Sequence, residues 1–165
     1  MFEKKFITIL VVLTIVLFSG GVILLSQTSS APAQITESEN AKAFAESFNF
    51  DWGKIDYNGG YAKKTFIIKN TGTDTLKLSK ITTSCTCTKA QVEVNGGKSP
   101  NFSMHSQSSW VGEVAPGSEA KLNIVFDPKF HGPSGVGPMS RIITVQTNDK
   151  QNPKLEFQLT GDVVK

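Results

Sequence analysis

An uncharged apolar run near the N-terminus, residues 6–25, constrains this chain most; it reads FITILVVLTIVLFSGGVILL. About 20 apolar residues with a helical rise of 1.5 Å each match the roughly 30 Å hydrocarbon core of a bilayer. Lys4 and Lys5 precede the run, and positive charge before a span favours a cytoplasmic N-terminus. We therefore predict a cytoplasmic segment 1–5 and a transmembrane signal-anchor from Phe6 to Leu25. The protein would then cross the membrane once, and the chain after Leu25 would lie outside the cytoplasm, in the periplasm or at the cell surface.

A cleaved signal peptide is the competing interpretation of the same run. Ala31-Pro32-Ala33 has the small-x-small pattern that precedes a cleavage site, so cleavage near Ala33 would give a secreted protein. Two observations favour retention. The apolar run is longer than the 7–15 residues of a signal-peptide core, and the cleavage pattern lies well beyond its end. A buried core helix is a third interpretation of the run.

Residues 26–47 separate the apolar run from the first strand pattern. Ser, Ala, Thr and Pro dominate 26–34, which is typical of a flexible spacer. Thr36 and Glu39 have the spacing of a capping box, and apolar residues recur in the segment after Glu39. We therefore predict a linker that ends in a short stalk helix over 40–47.

Length and charge limit what the rest of the chain can be. The chain has 165 residues, which is enough for one domain in addition to the anchor. Its formal net charge is +3, and the charges of both signs are interspersed. Arg141 is the only arginine, so neither a clustered basic surface nor bidentate phosphate recognition is indicated. We expect no nucleic-acid partner.

Residues 48–165 show the period of two that is typical of half-buried strands. Phe48, Phe50 and Trp52 alternate with polar residues, and the same alternation returns around Leu122 and Phe126. Turn sequences separate the apolar segments: Asn58-Gly59-Gly60, Asn70–Asp74, Ala115–Ser118 and Thr147-Asn148-Asp149. About seven strands at this spacing predict an immunoglobulin-like Greek-key β-sandwich, an all-β domain that follows one N-terminal transmembrane helix.

Several ordered motifs in this domain resemble a known family. They are Phe50–Ile55, Ile68–Gly72, Ser84–Thr88, Ala115-Pro116-Gly117, Val125–Pro128 and Thr147-Asn148-Asp149. Together they are similar to the bacterial family catalogued as domain of unknown function 1573. The resemblance spans Phe48 to Val164 and implies a secreted or membrane-tethered sandwich like that of major sperm protein and pilus chaperones. It implies no activity. Thr86 stands where the family commonly has Gly, and Lys98–Ser109 resembles an added loop.

Cys85 and Cys87 are the only cysteines, and one residue separates them. On a regular strand their Cα atoms would be about 6.6 Å apart, which is near the upper limit for a disulfide. A bridge would therefore need a local turn or bulge, whereas Thr86 favours extended backbone. An oxidising compartment favours a disulfide or an occupied metal site over free thiols. A structural disulfide, a soft-metal site and a thiol-redox site all stay open.

The other soft-ligand side chains are few. Beyond Met1, the only methionines and histidines are Met104, His105, His131 and Met139. Two thiolates with imidazole or thioether ligands suit Cu(I), and two thiolates with two imidazoles suit zinc. Copper is therefore the candidate ion, and these four residues with the cysteines are the candidate ligands. The segment from His131 to Pro138 is rich in Gly and Pro, which also predicts a wide hairpin loop.

No sequence motif of a common enzyme class is present: the chain has no Gly-x-Ser-x-Gly, no His-Glu-x-x-His and no P-loop. We therefore predict a non-enzymatic, membrane-tethered domain that binds an envelope protein or has a structural role in the envelope. An open sheet edge that accepts a partner's strand would provide the physical route. The alternative is an extracytoplasmic copper-binding or thiol-redox protein that uses Cys85 and Cys87. The two cysteines therefore decide between the two functions.

Overall fold

The computed structural model describes residues 5–7, 9–16 and 33–165. The chain forms two compact units, Met1–Ala31 and Pro32–Lys165. In the first unit, residues 5–7 and 9–16 are helical. Within the described residues, no helix combines the length and the apolar character that a membrane crossing requires. The rest of the predicted anchor, the spacer up to residue 32 and the first two residues of the cleavage pattern lie outside the described residues.

The second unit consists of ten β-strands and one short 3₁₀ helix. The strands are β1 (Ala43–Phe44), β2 (Asn49–Asp56), β3 (Ala62–Asn70), β4 (Leu76–Thr83), β5 (Thr88–Val94), β6 (Gly97–Lys98), β7 (Val111–Val114), β8 (Glu119–Phe126), β9 (Gly137–Thr147) and β10 (Lys154–Val164); the 3₁₀ helix η1 (Gly132–Gly135) precedes β9.

The strands form two five-stranded sheets. The first has the order β1-β3-β8-β5-β6 and the second the order β2-β10-β9-β4-β7. All pairings are antiparallel except that of β2 with β10, which is parallel. This is an all-β sandwich, as the alternating apolar pattern of the sequence predicts.

Buried and more exposed residues alternate along the strands, and the buried ones form the core between the two sheets. In β8, Leu122, Ile124 and Phe126 are buried while the residues between them are more exposed. The main buried cluster contains 19 residues, including the fully buried Phe157. A second, smaller cluster contains Ile55, Cys87, Phe126, Met139 and Val163. Cys87 is therefore part of this smaller core, and the partly buried Cys85 packs against it.

The predicted stalk helix over 40–47 is wrong. Ser38 forms an isolated parallel bridge with Asp149, and β1 pairs with the end of β3 through Ala43↔Asn70 and Phe44↔Lys69. An isolated helix of so few residues is marginal, whereas the extended segment gains hydrogen bonds to the sandwich. The domain consequently begins near residue 33 and not at residue 48, and residues 33–47 of the predicted linker belong to it.

Three further expectations need correction. The sandwich has ten strands where about seven were predicted, because the two-residue strands β1 and β6 carry too little pattern to be recognised. Thr86 lies in a turn, although its residue type favours extended backbone, because β4 ends at Thr83 and β5 begins only at Thr88. The 131–138 segment is not a hairpin, because β8 and β9 lie in different sheets. Both tryptophans, Trp52 and Trp110, pack against the main core.

Candidate functional site

The two cysteines lie in the turn that carries the chain from β4 in one sheet to β5 in the other. The Thr83 hydroxyl donates to the carbonyl oxygens of Cys85 at 2.8 Å and Thr88 at 3.0 Å, and the Thr88 amide donates to the Cys85 carbonyl at 3.1 Å. The turn brings the two cysteine Cα atoms to 5.3 Å, and the sulfurs form a disulfide. The local turn that a bridge requires is therefore present, despite Thr86 in place of Gly.

Each sulfur has a different nitrogen beside it. The Nε2 atom of His131 lies 3.4 Å from the Cys85 Sγ, and the Arg141 Nε donates to the Cys87 Sγ at 3.1 Å. Cys85 is half-buried, whereas only 3% of Cys87 is exposed. The two halves of the disulfide thus differ in both solvent access and neighbouring charge.

Arg141 owes its position to the alternation of β9. Met139, Arg141 and Ile143 fall on the same face of the strand, so the arginine side chain points inward among apolar neighbours. Its guanidinium carbon lies 5.5 Å from the centre of the Phe126 ring. Burial lowers the pKa of Arg141. Arg141 was not among the candidate site residues expected from the sequence. The feature that could have revealed it is that the only arginine of the chain occupies an inward position of a strand.

The structure brings together three of the six predicted metal ligands. Ligand atoms of Cys85, Cys87 and His131 all lie within 4.8 Å of one another. Met139 is buried in the same small cluster as Cys87. Met104 and His105 are exposed in the loop 99–110, and among the described residues His105 is not part of the Cys–His group. A metal would bind the two sulfurs only as thiolates, that is, after reduction of the disulfide.

A groove of about 430 Å³ opens beside the disulfide, at the end of the first sheet where β3 begins and β8 ends. Tyr61 and Phe130 line it with 63% and 51% of their surfaces exposed. Its other lining residues are Thr86, Cys87, Lys89, Asn101, Val125 and Asp127. The ring of Phe130 also contacts the ring of His131, with 5.1 Å between ring centres. Sequence reasoning missed this groove, because no local pattern reports which loop residues converge.

The opposite end of the sandwich holds a second polar cluster, which we call the pinned end: Asn70, Asn148 and Asp149. Asn70 Nδ2 donates to the carbonyl oxygens of Asp74 and Val114, at 2.8 and 2.9 Å. The Asn148 side-chain oxygen accepts from the Lys77 amide at 2.7 Å. Both asparagines are at most 4% exposed, so they replace missing backbone hydrogen bonds inside the fold.

Asp149 holds the N-terminal segment at this pinned end. Its carboxylate is buried and accepts from the Ala43 amide at 2.9 Å, the Gln151 amide at 2.9 Å and the Asn152 side chain at 3.0 Å. Burial by itself raises the pKa of Asp149, but these hydrogen bonds together outweigh burial and lower it. The charged carboxylate is therefore a structural element of the domain, and the turn role expected of Asn148-Asp149 extends to this anchoring contact.

Comparison with protein families gives a match over part of the domain. Residues 43–102 match the family model described as "Protein of unknown function (DUF1573)". The resemblance stated from the sequence motifs is confirmed. The matched region includes the cysteine pair and Tyr61, and it ends before Phe130, His131 and Arg141. No curated protein matches the chain.

Solved structures are similar to the sandwich. A crystal structure of a protein of unknown function from Porphyromonas gingivalis W83 has a TM-score of 0.58 and 21% identity, and it covers 78% of this chain. This chain spans only 49% of that protein. PapD-like domain 7 of human CEP192 has a TM-score of 0.48 and 16% identity over 84% of this chain and 96% of that chain. The first similarity shows only that the two proteins share the fold of this sandwich.

Proposed function

We propose that this protein is a non-enzymatic, membrane-tethered module outside the cytoplasm that binds a polypeptide partner in the groove beside the disulfide. One observation carries the proposal: Tyr61 and Phe130, two large aromatic side chains, both line a single groove and are mostly exposed. Aromatic residues are enriched at the centres of protein interfaces, where their burial supplies most of the binding free energy.

The polar lining of the groove supports a polypeptide as the occupant. Lys89 and Asp127 place opposite charges in the groove, and Asn101 offers an amide with both donors and acceptors. A polypeptide segment presents amide donors, carbonyl acceptors and side chains of both charges, which such a lining can pair. A polyanion would be repelled by the carboxylate of Asp127.

The open sheet edges offer a poorer docking site than the groove. β2 is an edge strand, but its pairing with β10 shifts register near Gly53, whose φ is +64°. The Trp52 indole N–H donates to the Lys63 carbonyl oxygen at 3.2 Å, which occupies a backbone acceptor of β3. A bulge and a side-chain cover are devices that protect edges from strand addition. We therefore place the partner in the groove and not on an edge.

Membrane tethering and an extracytoplasmic location form the second part of the proposal. The uncharged run 6–25 has the length and composition of a signal-anchor. A disulfide between Cys85 and Cys87 is favoured in an oxidising compartment. Extraction of membranes at alkaline pH tests the anchor: the protein should stay in the membrane pellet, and external protease should digest its domain. Release into the soluble fraction would contradict tethering.

Site-specific photo-crosslinking tests the binding site. A photoreactive phenylalanine analogue at position 130 should crosslink one polypeptide, and the crosslink should disappear when Tyr61→Ala is added. The same analogue at Phe48 is the matched control, because Phe48 is an exposed aromatic residue outside the groove. Equal crosslinking from positions 48 and 130, or a crosslink that survives Tyr61→Ala, would contradict the proposed groove.

Soft-metal binding is the second candidate, and the convergence of Cys85, Cys87 and His131 favours it. After reduction, two thiolates and one imidazole could bind Cu(I). Titration of the reduced protein with Cu(I) against a competing chelator should show one tight site, weakened by His131→Gln and unchanged by His105→Gln. His105 is the matched control, as the only other histidine. Equal loss in both histidine variants, or no tight site, would remove this candidate.

A further inference from the structure

We propose that the Cys85–Cys87 disulfide is an exchange site for thiols, in which Cys85 is the sulfur that an incoming thiolate attacks and Cys87 is the leaving group. The ligand class is a dithiol, from a polypeptide or a small molecule. The inference stands apart from the proposed binding partner, because the chemistry belongs to the disulfide and its two neighbours and can be measured with small thiols.

Solvent access distinguishes the two sulfurs as targets. Cys87 lies in the small core with Phe126 and Met139 and is 3% exposed, whereas Cys85 is only half-buried. An attacking thiolate must approach the sulfur along the bond that it breaks, so exchange depends on which sulfur is accessible. The geometry therefore selects Cys85 as the site of the mixed disulfide.

Neighbouring donors distinguish the two sulfurs as leaving groups. When Cys87 leaves, negative charge develops on its Sγ atom, and the Arg141 Nε–H already points at this atom at 3.1 Å. The Cys87 Sγ also lies 3.7 Å from the Thr88 hydroxyl. A charge-assisted hydrogen bond from a guanidinium stabilises a thiolate, and a better-stabilised leaving thiolate departs faster. Arg141 thus favours the same direction of cleavage as solvent access does.

The exchange has two steps. The first thiolate of the dithiol forms a bond to the Cys85 Sγ, and the Cys85–Cys87 bond breaks with its electron pair on Cys87. The second thiolate of the same dithiol then attacks its own sulfur in the mixed disulfide and displaces Cys85. The dithiol is oxidised to a disulfide by two electrons, and the cysteine pair is reduced by two. The two protons that the dithiol loses are the two that the reduced thiols of Cys85 and Cys87 take up.

The first test locates the mixed disulfide in the wild-type full-length protein. The oxidised protein in detergent is treated with 2-mercaptoethanol, an uncharged monothiol that has no second thiol of its own to resolve the mixed disulfide. The reaction is quenched with acid before a second molecule reacts, and free thiols are alkylated with N-ethylmaleimide. Fragmentation mass spectrometry should find the mercaptoethanol adduct on Cys85 and maleimide on Cys87, in about tenfold excess over the reverse. Equal labelling, or an adduct mainly on Cys87, would overturn the assignment.

The second test isolates Arg141. Arg141→Gln should lower the rate at which 2-mercaptoethanol forms the mixed disulfide about tenfold, because the charge-assisted bond to the leaving thiolate is lost. Lys129→Gln is the matched control, since it removes a positive charge from the exposed segment after β8 that neither lines the groove nor contacts a sulfur; its rate should stay within about twofold of wild type. Equal rates in the two variants would overturn the role of Arg141. If Arg141→Gln does not fold, the adduct position in the wild-type protein still decides the proposal.

Discussion

The two ends of the sandwich use polar groups in different ways. At the pinned end, Asn70, Asn148 and Asp149 are buried and their side chains bind backbone groups of the chain itself. At the other end, which we call the sulfur end (Cys85, Cys87, His131 and Arg141), the nitrogens point at a disulfide and exposed aromatic rings stand beside it. The same strands connect the two, since β3 and β9 run from one end to the other. Buried side chains that hydrogen-bond to the backbone are thus found at one end, and a disulfide with exposed aromatic rings beside it at the other.

Of the substitutions that compare the two ends, one at Asp149 is expected to lower the free energy of unfolding most. Asp149→Ala removes the acceptor of the Ala43 and Gln151 amides and of the Asn152 side chain, which are three part-buried hydrogen bonds to a charged group, worth about 1.5–3 kcal/mol each. We expect the free energy of unfolding in denaturant to fall by about 3–5 kcal/mol. Asp162→Ala, at an exposed aspartate of β10, is the control and should change it by less than about 0.5 kcal/mol. Similar losses in both variants would contradict a pinned end.

The stabilisation by Asp149 is expected to depend on pH. Because the folded-state pKa of Asp149 is lowered, its charged form stabilises the domain fully above the unfolded value of about 3.9. This stabilisation is lost as the pH falls through the lower folded-state pKa. Denaturant unfolding measured between neutral pH and pH 2 should show a steeper acid loss in the wild type than in Asp149→Asn. Parallel pH profiles for the two proteins would show that the carboxylate charge is not involved.

The next largest loss of stability is expected at Gly72, which the segment of residues 40–42 approaches closely. A Cβ atom at this position would lie 2.0 Å from the Asn40 carbonyl oxygen and 2.7 Å from the Lys42 amide nitrogen. Gly72→Ala must therefore displace the segment, and we expect a loss of about 1–3 kcal/mol together with faster hydrogen exchange at Ala43. Gly97→Ala is the control, since its Cβ would meet only Val94 O at 3.5 Å. Unchanged exchange at Ala43 in Gly72→Ala would contradict the docking of this segment.

Sequence reasoning predicted the sandwich because its long strands carry a strong signal. Strands such as β8 alternate over eight residues, and turn sequences such as Thr147-Asn148-Asp149 lie where the strands end. The segment around Ala43 was interpreted as a helix for a physical reason. Its local pattern is weak, and its conformation is decided by hydrogen bonds to Asp149, more than a hundred residues away in sequence.

The candidate site was predictable only in part. Cys85, Cys87 and His131 could be proposed because their side chains have distinctive chemistry. Their meeting depends on a turn between two sheets and on a 3₁₀ segment after β8, and neither has a specific local signal. Arg141 was noticed only as the lone arginine, since the sequence does not reveal that an inward position of β9 faces a sulfur. The groove depends in the same way on residues from separate strands.

A smaller effect on stability is expected at the sulfur end. Reduction of the disulfide opens a loop of only about three residues, for which chain entropy predicts a loss of about 1.6 kcal/mol or less. The free energy of unfolding in denaturant should be measured for the oxidised protein and for the reduced protein with unmodified thiols. These two values should differ much less than the values for the wild type and Asp149→Ala do. Unfolding of the domain on reduction would make the disulfide a structural requirement and would remove the contrast between the two ends.

The smallest stability effect is expected where the proposed binding effect is greatest. Tyr61→Ala and Phe130→Ala remove side chains that are mostly exposed, so each should change the free energy of unfolding by less than about 0.5 kcal/mol. Each should nevertheless reduce partner binding by at least about 2 kcal/mol, the scale of aromatic hot spots, as measured by titration with the crosslinked partner once it is purified. Phe48→Ala serves as the control for loss of an exposed aromatic ring. A variant that binds normally would mean that these rings are exposed for another reason, and one that unfolds would mean that the sulfur end stabilises the fold as the pinned end does.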